Sequence, residues 1–393
     1  MTPDSRSDAA ETVRILEALI GFDTTSRNSN LDLIHWVQSY LGDFGVPAHL
    51  IFDAEGRKAN LHAVIGPRDA PGVILSGHTD VVPVDGQAWT SDPFRLTERN
   101  GRLHGRGASD MKGFLAAALA AVPRFREAEL RRPVHLCFSY DEEVGCKGVP
   151  SLIDHLGTLA AKPALCIVGE PTGMHVVTGH KGKLSLRCHV RGRACHSSLA
   201  PQGVNAVEYA AELVARIRAI GRRFAAAGPF DESFDLPHTT AHTGRIQGGI
   251  ALNIVPESCW FDFEFRYIAG DDPQALLAEI RGLADALLPE MRAVAPEAGF
   301  EWEPISAFPG LDMPEDDPAV SLVKGFARSD RVSKVAYGTE GGLFQRRGGI
   351  PSVVCGPGSI AQAHTPDEFI ERAQLVAADA FMDRVRDWAA SEA

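Results

Sequence analysis

The sequence predicts an α/β protein, a mainly parallel sheet covered by helices on both faces and interrupted by an inserted α+β domain. Three observations carry this. Short apolar runs alternate with helical patterns over the first 180 residues, the texture changes to half-buried alternation near residue 180, and the first texture returns from about residue 310. Apolar strands alternating with helices indicate parallel strands buried on both faces.

The opening segment reads as a helix with Asp8 near its start and Ile15, Leu16, Leu19 and Ile20 on one side. Helical periodicity recurs over 31–44. The runs VILS (73–76), VHLCFS (134–139) and ALCIV (164–168) read as buried strands, and 112–122 as a small-residue helix ended near Pro123. KLSLRCHVRGRA then alternates like an antiparallel strand. A helix follows over about 204–224, then TTAHTGRIQGG and ALNIVPESCWFDFEFRYI as strands around a Gly-Gly turn, a helix over about 272–288, and the strand GFEWEPISA. That β-α-β-β-α-β order is a ferredoxin-like sandwich. The helix PAVSLVKGFARS, KVAYG, the buried strand IPSVVCG and a terminal helix complete the chain. The expected division is 1–180 and 306–393 for the larger domain and 181–305 for the insert.

A chain of 393 residues is long for one core, in keeping with two domains. Its net charge of −12 argues against nucleic acid or an anionic membrane as partner. No apolar run approaches the roughly 18 to 20 residues of a membrane span, and the first residues lack the apolar stretch of a signal peptide. A cytoplasmic protein is expected. The seven cysteines are scattered without a CxxC pair and read as reduced thiols.

Five segments carry acids or imidazoles where strands end, which is where open α/β sheets place their sites. In SGHTDVVP, His78 and Asp80 face the same way, so the Asp80 carboxylate can accept from the far ring nitrogen of His78 and fix its tautomer. A surface turn is the alternative. In HGRGASDMKG, Asp110 could cap the following helix or bridge two cations through its two oxygens. In SYDEEVGCKG, Asp141, Glu142 and Glu143 follow a buried strand, where cations would relieve their repulsion; a solvated acidic loop is the alternative. Glu170 in VGEPTG and His364 in GSIAQAHTPDEF are unremarkable alone. Together, two histidines and three carboxylates form a ligand set suited to zinc or a similar divalent ion. They suffice for two ions if Asp110 bridges, which leaves Glu142 free as a general base.

In that order, HTD, GRGASDMKG, DEE, GEPT and AHTPDEF, the chain resembles the M20 metallopeptidase and deacylase family almost from end to end, inserted domain included. The likeness is closest to the deacetylases that free an α-amino acid from its N-acetyl form. It rests on DMKGF, GEPT, HKGKLS, HSSLAPQGVNAVE, YGTEGGLFQ and GPGSIAQAHTPDEF; desuccinylases have a Ser/Thr-Gly-Gly-Thr run where YGTEGGLFQ stands. The resemblance implies a zinc-peptidase-like catalytic domain and two Zn2+ per subunit, with Co2+ suiting the same ligands. One ion takes His78 and Glu170, the other Glu143 and His364, and Asp110 bridges. Glu142 is implied as general base, Asp80 as the residue orienting His78, and the Asp110–Met111 peptide as cis. The inserted domain is implied to be a lid and homodimer surface. The resemblance further implies that His196 stabilises the oxyanion in the partner's site and that Arg266 and Asn253 bind the substrate α-carboxylate and neighbouring polar atoms. Cys195 departs from the family's usual Gly before the lid histidine, and Gly341–Gly342 replaces an Ala-Pro pair.

The small-molecule substrate implied is N2-acetyl-L-ornithine, as a step of arginine biosynthesis; another N-acyl amino acid or a dipeptide is the alternative. Arg266 suits a carboxylate, or makes a surface salt bridge. Glu340 is expected to face the pocket and pair with the substrate's side-chain ammonium, or to be a surface loop acid.

Overall fold

The computed structural model describes residues 9–392. Asp8, expected near the first helix start, lies outside the described residues. The helix Ala10–Ile20 buries Ile15, Leu16, Leu19 and Ile20 together, as its periodicity requires.

The chain forms two compact units. The larger runs through Gly179 and resumes with Leu311–Lys334 and Thr339 onward; the smaller comprises His180–Gly310 and Val335–Gly338. The second junction thus falls after Gly310 rather than residue 305, because the strand Gly299–Phe308 continues to the edge of the smaller sheet.

The larger unit is built on a nine-stranded sheet. At its centre Val134–Ser139, Val73–His78, Leu165–Pro171 and Ser352–Gly356 run parallel. Every residue of these four strands is buried, which explains their unbroken apolar texture. Towards one edge Ala59–Ile65 and Ala48–Phe52 pair antiparallel, and on the other side Val176–His180 is antiparallel to Ser352–Gly356. The sheet is therefore parallel in its middle and mixed at its margins.

The smaller unit is a four-stranded antiparallel sheet with Gly182–Arg191 flanked by Ser258–Tyr267 and Gly299–Phe308, and Thr240–Gly248 at the outer edge beside Ser258–Tyr267. With the helices Ala206–Ala227 and Pro273–Val294, this is the expected β-α-β-β-α-β sandwich. Phe261, Phe263 and Phe265 alternate inward and meet Leu213, Ile217 and Ile280 in its core.

Element ends differ from expectation for identifiable reasons. The second strand of the hairpin starts at Ser258 instead of Ala251, since Pro256 has no N–H for the ladder. The helix from Pro273 runs past Pro289 to Val294, and the fully buried Met291 anchors its last turns. Pro123 does not end helical structure but opens a short helix, Val122–Glu127, where its missing N–H is harmless. All seven cysteines are free; six are buried and Cys195 is half-buried.

Candidate active site

His78 ends the central strand Val73–His78, and Glu170 lies near the end of its parallel neighbour, Leu165–Pro171. A glycine precedes each. A Cβ on Gly77 would lie 2.5 Å from Met111 Cε, and one on Gly169 would lie 2.0 Å from the Phe114 ring. Glycine at these positions lets the segment from Asp110 to Phe114 press onto the strand ends. The Asp110–Met111 peptide is cis, as the resemblance implies.

The five implied ligands converge. His78 Nε2 lies 3.1 Å from Asp110 Oδ1 and 3.7 Å from Glu170 Oε1. His364 Nε2 lies 3.2 Å from Asp110 Oδ2 and 3.0 Å from Glu143 Oε2. Asp110 thus turns one oxygen toward each histidine. His78, Asp110 and Glu170 form one group able to hold an ion, and Asp110, Glu143 and His364 a second. His364 adopts φ 61° and Asp141, at the start of the acidic turn, φ 57°, a left-handed conformation rare outside glycine.

Asp80 does a different job from the one expected. His78 Nδ1 meets the main-chain carbonyl of Asp80 at 2.9 Å, whereas the nearer carboxylate oxygen is 3.7 Å away. The carboxylate is engaged elsewhere. It accepts the N–H of Glu142 at 3.0 Å, the N–H of Glu143 at 3.2 Å and the Ser26 hydroxyl at 2.6 Å. Asp80 therefore orients His78 through its backbone and holds the acidic loop through its side chain.

Glu368, quoted within AHTPDEF but given no role by the sequence, is the other organiser. It is 1% exposed and accepts the main-chain N–H groups of Gly107, Ser109 and Asp110 at 2.9–3.0 Å, besides the Arg106 guanidinium at 2.7 Å. It thereby ties the His364 loop to the Asp110 turn.

The electrostatics explain why such a cluster calls for cations. Burial opposes a charged His78, but Asp110 and Glu170 outweigh it and hold the imidazole well above its ordinary value. Hydrogen bonds to Asp110 and Glu143 lift His364 to about 10. Burial opposes the Asp110 charge, yet His364 and His78 hold its pKa below the usual carboxylate range. Burial and the Asp110 charge raise Glu143 to about 7 and Glu170 well above its usual range. Burial raises Glu142 as well, with the charges of Glu143 and Glu340 adding to it and His78 opposing. Four ligand or base carboxylates around two imidazoles leave excess negative charge, which divalent ions offset. The mixed N/O set fits zinc-like ions, so the residues present suit the implied metal.

Glu340 is no surface acid. It is 1% exposed, and among the described residues neither carboxylate oxygen has a hydrogen-bond partner of good geometry. Burial raises it to about 7, only partly opposed by the Ser139 hydroxyl and His78. The other expected residues belong to the smaller unit. His196 is exposed, with Nδ1 2.7 Å from the Ser198 hydroxyl. Asn253 is exposed and its carbonyl accepts from Ser197 N–H at 3.0 Å. Arg266 pairs with Glu264 at 3.1 Å on its own strand.

Strand ends that gather two imidazoles around a shared carboxylate define a metal-dependent hydrolase. The model of peptidase family M20/M25/M40 matches residues 74–386, and the chain belongs to that family. It is 33% identical over 351 residues to an acetylornithine deacetylase of Photorhabdus laumondii, covering 89% of this chain and 88% of the relative. It is 32% identical over 366 residues to one of Shigella sonnei, covering 91% and 92%. Among solved structures, an M20 family metallo-carboxypeptidase of Sulfolobus solfataricus superposes with a TM-score of 0.74 at 19% identity, covering 97% of this chain and 99% of that one. The last likeness concerns the fold alone.

Proposed function

We propose that the chain hydrolyses N2-acetyl-L-ornithine to ornithine and acetate, the step expected in arginine biosynthesis, using two zinc ions. The observation that carries the hydrolytic reading is the Asp110 carboxylate, with one oxygen toward His78 and the other toward His364. The substrate reading draws on the two acetylornithine deacetylases and on Glu340.

When bound, the ions acidify water and polarise the amide carbonyl. His78 and Glu170 would hold one ion and Glu143 and His364 the other, with Asp110 placed to serve both. Glu142 takes the proton of the attacking water and returns it to the leaving nitrogen; a base placed among other acids has the raised pKa this task needs. Asp80 keeps Glu142 and Glu143 in register. Glu340, a buried acid with no cationic partner among the described residues, receives the substrate's side-chain ammonium, which supplies the missing countercharge. Under the same reading His196 serves the oxyanion, Arg266 and Asn253 take the α-carboxylate, and the smaller unit is the lid and homodimer surface.

The test is Glu340→Gln. KM for N2-acetylornithine should rise while that for Nα-acetylmethionine stays constant. Equal changes for both substrates would remove Glu340 from recognition.

A further inference from the structure

Away from the active centre, the larger unit holds a second cluster of imidazoles. His49 lies on Ala48–Phe52 directly opposite His62 on Ala59–Ile65. His135 lies near the start of Val134–Ser139, the strand whose far end leads into the acidic loop. His155 lies in the last turn of the helix Val149–Leu156. That helix covers this end of the sheet, since Asn60, two residues before His62, donates to Gly148 O and Ser151 Oγ at its start, both at 2.9 Å. All four histidines line a cavity of about 510 Å3.

The rings are linked. His155 Nε2 lies 3.0 Å from His62 Nδ1, and His62 Nε2 lies 3.0 Å from His135 Nδ1. The His49 ring stacks on His155 with centroids 4.6 Å apart. The cluster runs from the buried His135 and His62 through the half-buried His155 to the exposed His49. Among the described residues no carboxylate lines the cavity, and the exposed Arg68 is the one Arg or Lys that does. These histidines are therefore not partners of acids. Their burial, with neighbouring imidazoles adding to it, lowers His62 to about 3, and burial lowers His135 to about 4. At neutral pH the rings of His62 and His135 are therefore uncharged, and each keeps one unprotonated nitrogen.

We propose that His62 Nδ1 and His155 Nε2 chelate a borderline transition-metal ion of the Ni2+, Cu2+ or Zn2+ class. Two nitrogens 3.0 Å apart can share one ion at the usual metal–nitrogen distance of about 2.0–2.1 Å. The helix and the strand fix the two rings, so the chelate is largely preformed. Ligation through Nδ1 places the His62 proton on Nε2, where it is donated to His135, the outer contact that metal-bound imidazoles commonly make. His135 then carries its proton on Nε2, which has no partner among the described residues, a cost that coordination must exceed. Solvent completes the coordination, since the cavity is open on the His49 side. An all-imidazole set selects softer ions than the carboxylate-rich active centre.

The test uses the full chain. Equilibrium dialysis against Ni2+ at neutral pH should find one ion per chain fewer in His155→Ala than in wild type, with amide hydrolysis unchanged. In the Cu2+-loaded protein, electron paramagnetic resonance should show coupling to two or more nitrogens on one ion. That signal should vanish in His155→Ala and persist in His364→Ala, because each active-centre group offers a single imidazole. Equal Ni2+ stoichiometry in wild type and His155→Ala, or single-nitrogen coupling only, would overturn the proposal and leave the rings as packing.

Discussion

Glu368 accepts the main-chain N–H of Asp110 at 3.0 Å, so the residue that faces both histidines is held by a carboxylate four residues beyond one of them. The same side chain neutralises Arg106, which is 1% exposed. Glu368→Gln should therefore have two effects. Leaving the Arg106 charge without its partner should cost on the order of 3 kcal/mol in denaturant unfolding. Loosening the Asp110 turn should weaken zinc by roughly 10- to 100-fold in a competition titration. An unchanged zinc affinity would limit Glu368 to a stabilising role.

Asp80→Asn separates the two jobs of Asp80. The carbonyl that meets His78 remains, so zinc stoichiometry should stay at the wild-type value. The amide cannot accept as the carboxylate does from Glu142, Glu143 and Ser26, so kcat should fall by at least about tenfold. Loss of an ion with kcat per loaded enzyme preserved would reverse the assignment.

Glu142→Gln keeps the shape of the loop and removes the base. Metal content should match wild type, while kcat falls by about 10²- to 10⁴-fold. Near-normal kcat would remove Glu142 from proton transfer.

Removing metal should make stability depend on pH in a definite direction. His364 has a folded pKa of about 10 against 6.5 when free, so its contribution is complete below 6.5 and is lost as pH rises toward 10. Glu143 stands at about 7 against 4.5, so folding favours its protonated form and stability falls as it ionises across that interval. The two act with the same sign. Thermal melts of chelator-treated protein should show Tm falling from about pH 5 to about pH 9, and zinc should flatten the curve because ions replace protons. A Tm that rises with pH across this range in the metal-free protein would contradict these assignments.

Much of this was legible in the sequence because the ligands stand at strand ends, where a buried apolar run gives way to acids and histidines. His78, Asp110, Glu143, Glu170 and His364 could be gathered on that ground before any geometry. Glu368 could not, since its partners are main-chain N–H groups on a turn more than 250 residues earlier, and no spacing rule links them. The Asp80 assignment named the right residue and the wrong atoms: period-two alternation says which residues face together, not whether a carbonyl or a carboxylate arrives first. The four clustered histidines are spread from residue 49 to 155 on separate elements, and each alone reads as packing. Helix ends moved where a proline was tolerated, at Pro123 in a first turn and at Pro289 beside a buried Met291.

The most direct measurement is release of free amine by the zinc-loaded protein from N2-acetylornithine, Nα-acetylmethionine, succinyl-diaminopimelate and a dipeptide, each with a chelator control. The account predicts that N2-acetylornithine leads by tenfold or more in kcat/KM, about 1.4 kcal/mol of transition-state preference, and that the chelator abolishes turnover. Another substrate in the lead would contradict the acetylornithine reading, and turnover that survives the chelator would contradict the metal centre itself.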